Sequence, residues 1–246
     1  MKPFLILQLR PETPASDSEF TAILNKAKLT QNNVLRIRLD QNPDMSHLNL
    51  TDFSGIIVGG GPGCVSDPID KKPPQEKAIE DACLGIMNEI TKRDIPFLGC
   101  CYGIGILAHH LGGVVNKEKY FEPVGAVDCS LTQAGIDDDI LANVSDKFRS
   151  FVGHKEAVQE LPDGCTHLVA SDPCPYQMIR YKNNVYATQF HPEADPDEFE
   201  LRINIYRERG YFPPDDADKL IEMIRAESIN MPELILQNFV KKYSIE

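Results

Sequence analysis

The chain has 246 residues, with 25 Lys and Arg against 37 Asp and Glu, for a formal charge of −12. A chain of this length can bury one large α/β core, and 42% hydrophobic with 25% charged residues excludes wholesale disorder. The acidic balance argues against nucleic acid, whose phosphates need clustered Lys and Arg, and against an anionic membrane surface. No run of about 18 apolar residues is present to cross a bilayer.

The first ten residues hold a short apolar stretch interrupted by Gln8 and closed by Arg10. That pattern predicts a first strand rather than a leader peptide. Residues 4–9, 34–39, 55–58 and 95–98 are short runs rich in Val, Ile and Leu, the mark of strands buried on both faces. Between the last two, Ala78, Ile79, Ala82, Cys83, Ile86, Met87 and Ile90 recur at helical spacing from Gln75 to Thr91, behind a Pro73-Pro74 pair suited to a helix start. Strands alternating with helices predict a parallel sheet covered on both faces. Beyond residue 114, segments 124–132, 166–171, 176–181 and 184–190 predict an antiparallel or mixed extension of that sheet. The charged stretch after Asp195 reads as helical, broken at Pro213-Pro214. No repeat, linker or composition break divides residues 1–246, which predicts a single domain.

The seven cysteines are odd in number and contain no C-x-x-C pair. Neither a zinc site nor a secreted disulfide framework fits, and reduced thiols in the cytoplasm are expected, with no metal and no cofactor. One thiol stands out. Residues 95–113, IPFLGCCYGIGILAHHLGG, place G-x-C-x-G (Gly99 to Gly103) between a buried strand and an apolar helix. This is the thiol form of a nucleophile elbow, a sharp strand-to-helix turn that needs small residues on either side. Cys101 occupies the nucleophile position, where a helix N-terminus would favour a thiolate. The bland alternative is a buried Cys pair in a glycine turn, since an unreactive Cys behaves as a small hydrophobe.

A thiol nucleophile needs a base. His109 and His110 follow the elbow on its helix, and His47 and His167 have no chemical neighbours in sequence. His191 ends the strand VYATQFH and precedes Pro192-Glu193. The proline holds the chain extended, so side chains 191 and 193 project to one side. Glu193 can then fix the imidazole tautomer and complete a Cys-His-Glu triad. Gly59-Gly60-Gly61-Pro62-Gly63 follows another strand, and loops at the carboxyl ends of neighbouring parallel strands share one crevice. Backbone N–H groups of Gly61 and Tyr102 are the candidate oxyanion donors. A phosphate-binding glycine loop is the weaker reading, because neither dinucleotide nor P-loop spacing is present.

Three separated segments, GGGPG at 59–63, GCCYG at 99–103 and QFHPE at 189–193, resemble the class I glutamine amidotransferases. Residues 151–193 are similar to stand-alone relatives of the glutaminase half of GMP synthetase. The resemblance implies a flavodoxin-like or Rossmann-like three-layer sandwich, its central sheet mostly parallel with an antiparallel extension. It also implies hydrolysis of glutamine to glutamate and ammonia through a γ-glutamyl thioester on Cys101, with His191 moving the proton and Glu193 orienting His191. Gly61 and Tyr102 match the oxyanion donors, and Gly63 and His154 fall near the bound glutamine. The family's G-x-C-x-G-x-Q departs here to Gly105, so the position that usually contacts glutamine has no side chain.

The departure keeps a second function in view, a γ-glutamyl peptide hydrolase with the same triad. A third reading is a catalytically weak regulatory homologue. With no P-loop and no S-G-G-x-D-S segment in the chain, the ammonia is expected either to pass to a separate synthetase subunit or to be released.

Overall fold

The computed structural model describes residues 2–244. Nine strands form one sheet. Its parallel half holds β1 (Phe4–Gln8), β2 (Val34–Arg38), β3 (Ile56–Val58), β4 (Phe97–Cys100) and β11 (Val185–Thr188). Its antiparallel half continues with β10 (Met178–Tyr181), β9 (Cys165–Ser171), β6 (Glu122–Leu131) and β7 (Lys147–His154). Across the sheet the order is β2-β1-β3-β4-β11-β10-β9-β6-β7. Two further short strands, β5 (Val115–Asn116) and β8 (Ala157–Val158), pair with each other.

The alternation of side chains along β1 divides the core in two. Leu5 and Leu7 face α2 (Pro74–Arg93) and α3 (Tyr102–His110), meeting Ile79, Met87, Ile90, Ile104 and Leu107. Phe4 and Ile6 face the opposite layer, where α1 (Thr13–Ala27) brings Phe20 and Ile23, and α7 (Glu233–Tyr243) brings Leu236 and Phe239. All five residues of β1 are buried, as a continuous apolar run in a covered parallel sheet requires. The helices begin and end on recognisable residues. Prolines open α1, α2 and α5 (Pro196–Tyr206), and Lys28 and Asp94 close the first two in the left-handed conformation. A single turn, α4 (Gln133–Ile136), lies between β6 and β7, capped by the Thr132 hydroxyl.

The expected strands 4–9, 34–39, 55–58 and 95–98 coincide with β1 to β4 within two residues at each end. The expected break at Pro213-Pro214 is a short 3-10 turn between α5 and α6 (Ala217–Arg225). Three strands lie outside the expectations: the short pair β5 and β8, and β7 of the main sheet. β7 reads KFRSFVGH, with Lys147, Arg149 and Ser150 interrupting its apolar residues, yet it forms the longest pairing in the sheet with β6. α5 and α6 pack a third, smaller core over this end, where Phe199, Ile203 and Ile224 meet Phe151.

Candidate active site

The carboxyl ends of β1, β3, β4 and β11 lie side by side and deliver Arg10, Gly59–Gly61, Cys101 and His191 to one edge of the sheet. Cys101 sits at φ 53 and ψ −89, a backbone conformation costly for a residue with a Cβ. Its N–H donates to the Thr188 carbonyl at 2.7 Å, tying the turn to β11. The turn needs glycine at 99, because a Cβ there would lie 2.9 Å from the Gly103 Cα. Cys100 is fully buried behind the turn, whereas Cys101 opens onto two clefts.

The Nδ1 of His191 lies 2.8 Å from Glu193 Oε1. Arg202, from α5, reaches both: one guanidinium nitrogen lies 3.1 Å from His191 Nδ1, and the other donates to Glu193 Oε1 at 3.0 Å and to Glu198 at 3.0 Å. Arg10 pairs with the buried Glu19 at 2.8 Å, and Glu19 in turn accepts the Gly60 N–H at 3.2 Å. A Cβ at Gly60 would come within 2.8 Å of the His191 ring, so the glycine loop lies directly against the imidazole. The N–H groups of Gly61 and Tyr102 have no acceptor among the described residues, and both residues line the first cleft beside Cys101.

Burial sets the protonation states. It pushes the Cys101 thiol up to about 12, a rise that Arg10 and Arg202 oppose and Glu193 reinforces. Desolvation is the largest influence on this sulfur and favours the thiol over the helix-stabilised thiolate expected from the sequence. Burial also holds His191 below its ordinary value; Glu193 opposes that shift, and Arg202 and Arg10 add to it. For Glu193, burial works against ionisation, yet His191 and Arg202 hold its carboxyl well below the ordinary range. The resting set is thus a thiol, a neutral imidazole and a carboxylate. From such a set, a thiol could act as a nucleophile only by passing its proton to a neighbouring base.

The first cleft also answers what faces Gly105. Glu156 accepts the Val65 N–H at 2.8 Å and the Ser66 N–H at 2.9 Å, and a Cβ at Gly105 would lie 3.0 Å from its Oε1. Glu156 thus occupies space that a side chain at 105 would need. Burial pushes its carboxyl up, against those hydrogen bonds. Gly63 lines this cleft as expected. His154 borders it too, but its ring nitrogens lie 2.8 Å from the Glu156 carbonyl and 2.7 Å from Glu122 Oε2. Its ring supports Glu156 and leaves neither nitrogen for a ligand.

Sequence reasoning missed Arg10, Glu19, Glu156, Arg202 and Tyr211. The signal for Arg202 lay in the i, i+3, i+4, i+7 spacing of Phe199, Arg202, Ile203 and Tyr206, which turns one face of α5 toward the second cleft. Tyr211 caps both clefts. Its hydroxyl donates to the Pro62 carbonyl at 3.2 Å and its ring carries the Lys155 ammonium at 3.9 Å.

A sequence profile of the family described as glutamine amidotransferase class-I matches residues 16–204. The chain belongs to that family. It is 31% identical over 180 residues to a glutamine-hydrolyzing GMP synthase of Gloeothece citriformis, covering 72% of this chain and 30% of that one. It is 30% identical over 165 residues to one subunit of the glutamine-hydrolyzing GMP synthase of Methanocaldococcus jannaschii, covering 65% of this chain and 76% of that one. The chain thus spans under a third of the length of the first of these relatives. In fold, this amidotransferase is similar to a glutamine amidotransferase of Thermotoga maritima, with a TM-score of 0.76 and 20% identity over 99% of this chain and 98% of that one. A glutamine amido transferase of Methylobacillus flagellatus gives 0.70 and 19% over 100% and 97%.

Proposed function

We propose that this chain hydrolyses the side-chain amide of glutamine through a γ-glutamyl thioester on Cys101, releasing glutamate and ammonia. The observation that carries the reading is that Cys101 lies where two clefts meet, with the acceptor-free N–H groups of Gly61 and Tyr102 lining one and an imidazole whose Nδ1 is held by a buried carboxylate lining the other. In this reading Cys101, His191 and Glu193 are the catalytic residues. The γ-glutamyl group lies in the first cleft, lined by Gly63, Gly105 and Glu156. His191 takes the thiol proton as sulfur attacks the γ-carbonyl carbon. The oxyanion is held by the N–H groups of Gly61 and Tyr102, each such donor contributing about 3 kcal/mol in related chemistry. His191 then protonates the leaving nitrogen, the C–N bond breaks, and water opens the thioester. Where the leaving amine is ammonia, a separate synthetase subunit is the partner this reading implies. Its support is the likeness to a relative whose own name calls it a subunit. The seven free thiols suit the cytoplasm.

The test is labelling by a diazo-ketone analogue of glutamine, read by intact mass and peptide mapping. Label on Cys101, abolished by Cys101→Ser and retained in Cys100→Ser, is the expected result. Label on Cys100, or glutamine turnover that survives Cys101→Ser, would overturn the assignment.

A further inference from the structure

Two clefts meet at Cys101, and the groups around it are divided between them. Tyr102, with its free N–H, lines the first with Gly63, Gly105 and Glu156. His191 lines the second and not the first. Around a tetrahedral carbon on sulfur, the oxygen turns toward the N–H donors and the nitrogen toward the imidazole that protonates it. The acyl chain therefore lies in the first cleft, and whatever substituent the nitrogen carries lies in the second.

Ammonia needs no cleft, yet one is built there. It is an open cleft whose empty space, about 430 Å³ with open solvent included, is similar to the about 370 Å³ of the first, so a group attached to the nitrogen can extend along its wall toward solvent. Its wall is apolar, formed by Val124, Phe199, Ile203 and Phe212 with the tyrosines 206 and 211. The cations lining it are Arg10 and Arg202, and both are already engaged, by Glu19 and by Glu193 and Glu198. An anionic leaving group would find no free counter-charge there, whereas an aliphatic or aromatic one would find matching surface.

We propose that the second cleft is a leaving-group site, and that the chain hydrolyses γ-glutamyl amides whose amine bears an aliphatic or aromatic group, as in a γ-glutamyl derivative of leucine. The inference rests on the thioester reading above and keeps its chemistry. Sulfur bonds to the γ-carbonyl carbon and its proton passes by way of His191 to the amide nitrogen. The C–N bond breaks to free the amine, and one water cleaves the thioester, returning the proton to sulfur and leaving glutamate. No further reactant is required.

Steady-state hydrolysis of γ-glutamyl-leucine, γ-glutamyl-glutamate and glutamine by the same preparation tests it. The expected kcat/KM for the leucine derivative exceeds that for each of the other two by roughly ten-fold or more, the scale on which apolar pockets discriminate. Phe212→Ala should reduce the leucine-to-glutamine ratio at least five-fold, and Val124→Lys should shift the ratio from the leucine toward the glutamate derivative. Both positions are only partly buried, which limits the risk to folding. Glutamine turned over as well as or better than γ-glutamyl-leucine, or a leucine preference unmoved in both variants, would overturn the leaving-group site and leave the thioester reading standing. No turnover of any of the three, with no label on Cys101, would overturn both.

Discussion

Among the described residues, Cys, His and Glu gather in two buried places. One, Cys101 with His191 and Glu193, lies at the edge of the parallel half. The other, Cys174 with His154 and Glu122, lies in the antiparallel half, its ligand-type atoms all within 4.8 Å of one another. The difference is in what each histidine has left to offer. His154 is bonded through both nitrogens, and Glu122 also accepts from Gln177 and Ser171, so that cluster is closed on itself. Metal ligation is likewise a poor fit there, because His154 Nε2 and Glu122 Oε2, two of the three atoms that would bind an ion, already bind each other. His191 has its Nδ1 side held by Glu193 and Arg202 and opens onto a cleft shared with sulfur. The same three residue types build a brace in one place and, in the function proposed above, a reactive centre in the other.

Paired substitutions sharpen that contrast most. His191→Gln is expected to lower glutamine or γ-glutamyl amide turnover by about 10³-fold or more while leaving the fold intact. His154→Gln should retain turnover within about ten-fold and instead lower stability by about 1–3 kcal/mol, because Glu122 loses a buried partner. Activity assays and thermal melts on the two proteins separate these outcomes. The next effect concerns Arg202. Arg202→Met strands two buried carboxylates and should cost about 3–5 kcal/mol, read as a lowered Tm.

The pH dependence follows from the same groups. In the proposed mechanism turnover requires neutral His191, so activity should fall on acidification only below the ordinary imidazole range. Arg202→Met removes one cation that holds His191 down, and should move that acid limb to higher pH. Stability runs in the same direction by two routes. Held neutral in the fold, His191 weakens stability once pH drops below its unfolded value; the depressed carboxyl of Glu193 contributes above the ordinary carboxylate range and is lost as pH falls through its folded value.

The smallest expected effect tests the cleft floor. Gly105→Gln restores the family's usual residue but meets Glu156 at 3.0 Å from the Cβ, so glutamine KM should rise several-fold. Adding Glu156→Asp shortens the opposing acid and should recover part of that loss, a coupling read from a double-mutant cycle.

Much of this architecture is legible in the chain. The parallel strands announce themselves because burial on both faces demands unbroken apolar runs, as in FLILQ of β1. The elbow, the glycine loop and His191-Pro192-Glu193 are short local motifs, so their place at strand ends is readable and their meeting follows from topology. β7 escapes because Arg149 and Ser150 break its pattern while tertiary pairing with β6 holds it. Arg10, Arg202 and Glu156 escape for another reason. Each acts through a partner distant in sequence, as when Glu156 fills the space beside Gly105, and no local spacing records such compensation.

The backbone of Cys101 carries one last consequence. At φ 53 glycine would rest easily, and a side chain there costs on the order of 1–3 kcal/mol. Cys101→Gly should therefore yield a chemically inert protein that withstands heat as well as or better than its active parent. A fold that keeps sulfur at so awkward a place has forgone robustness to do so.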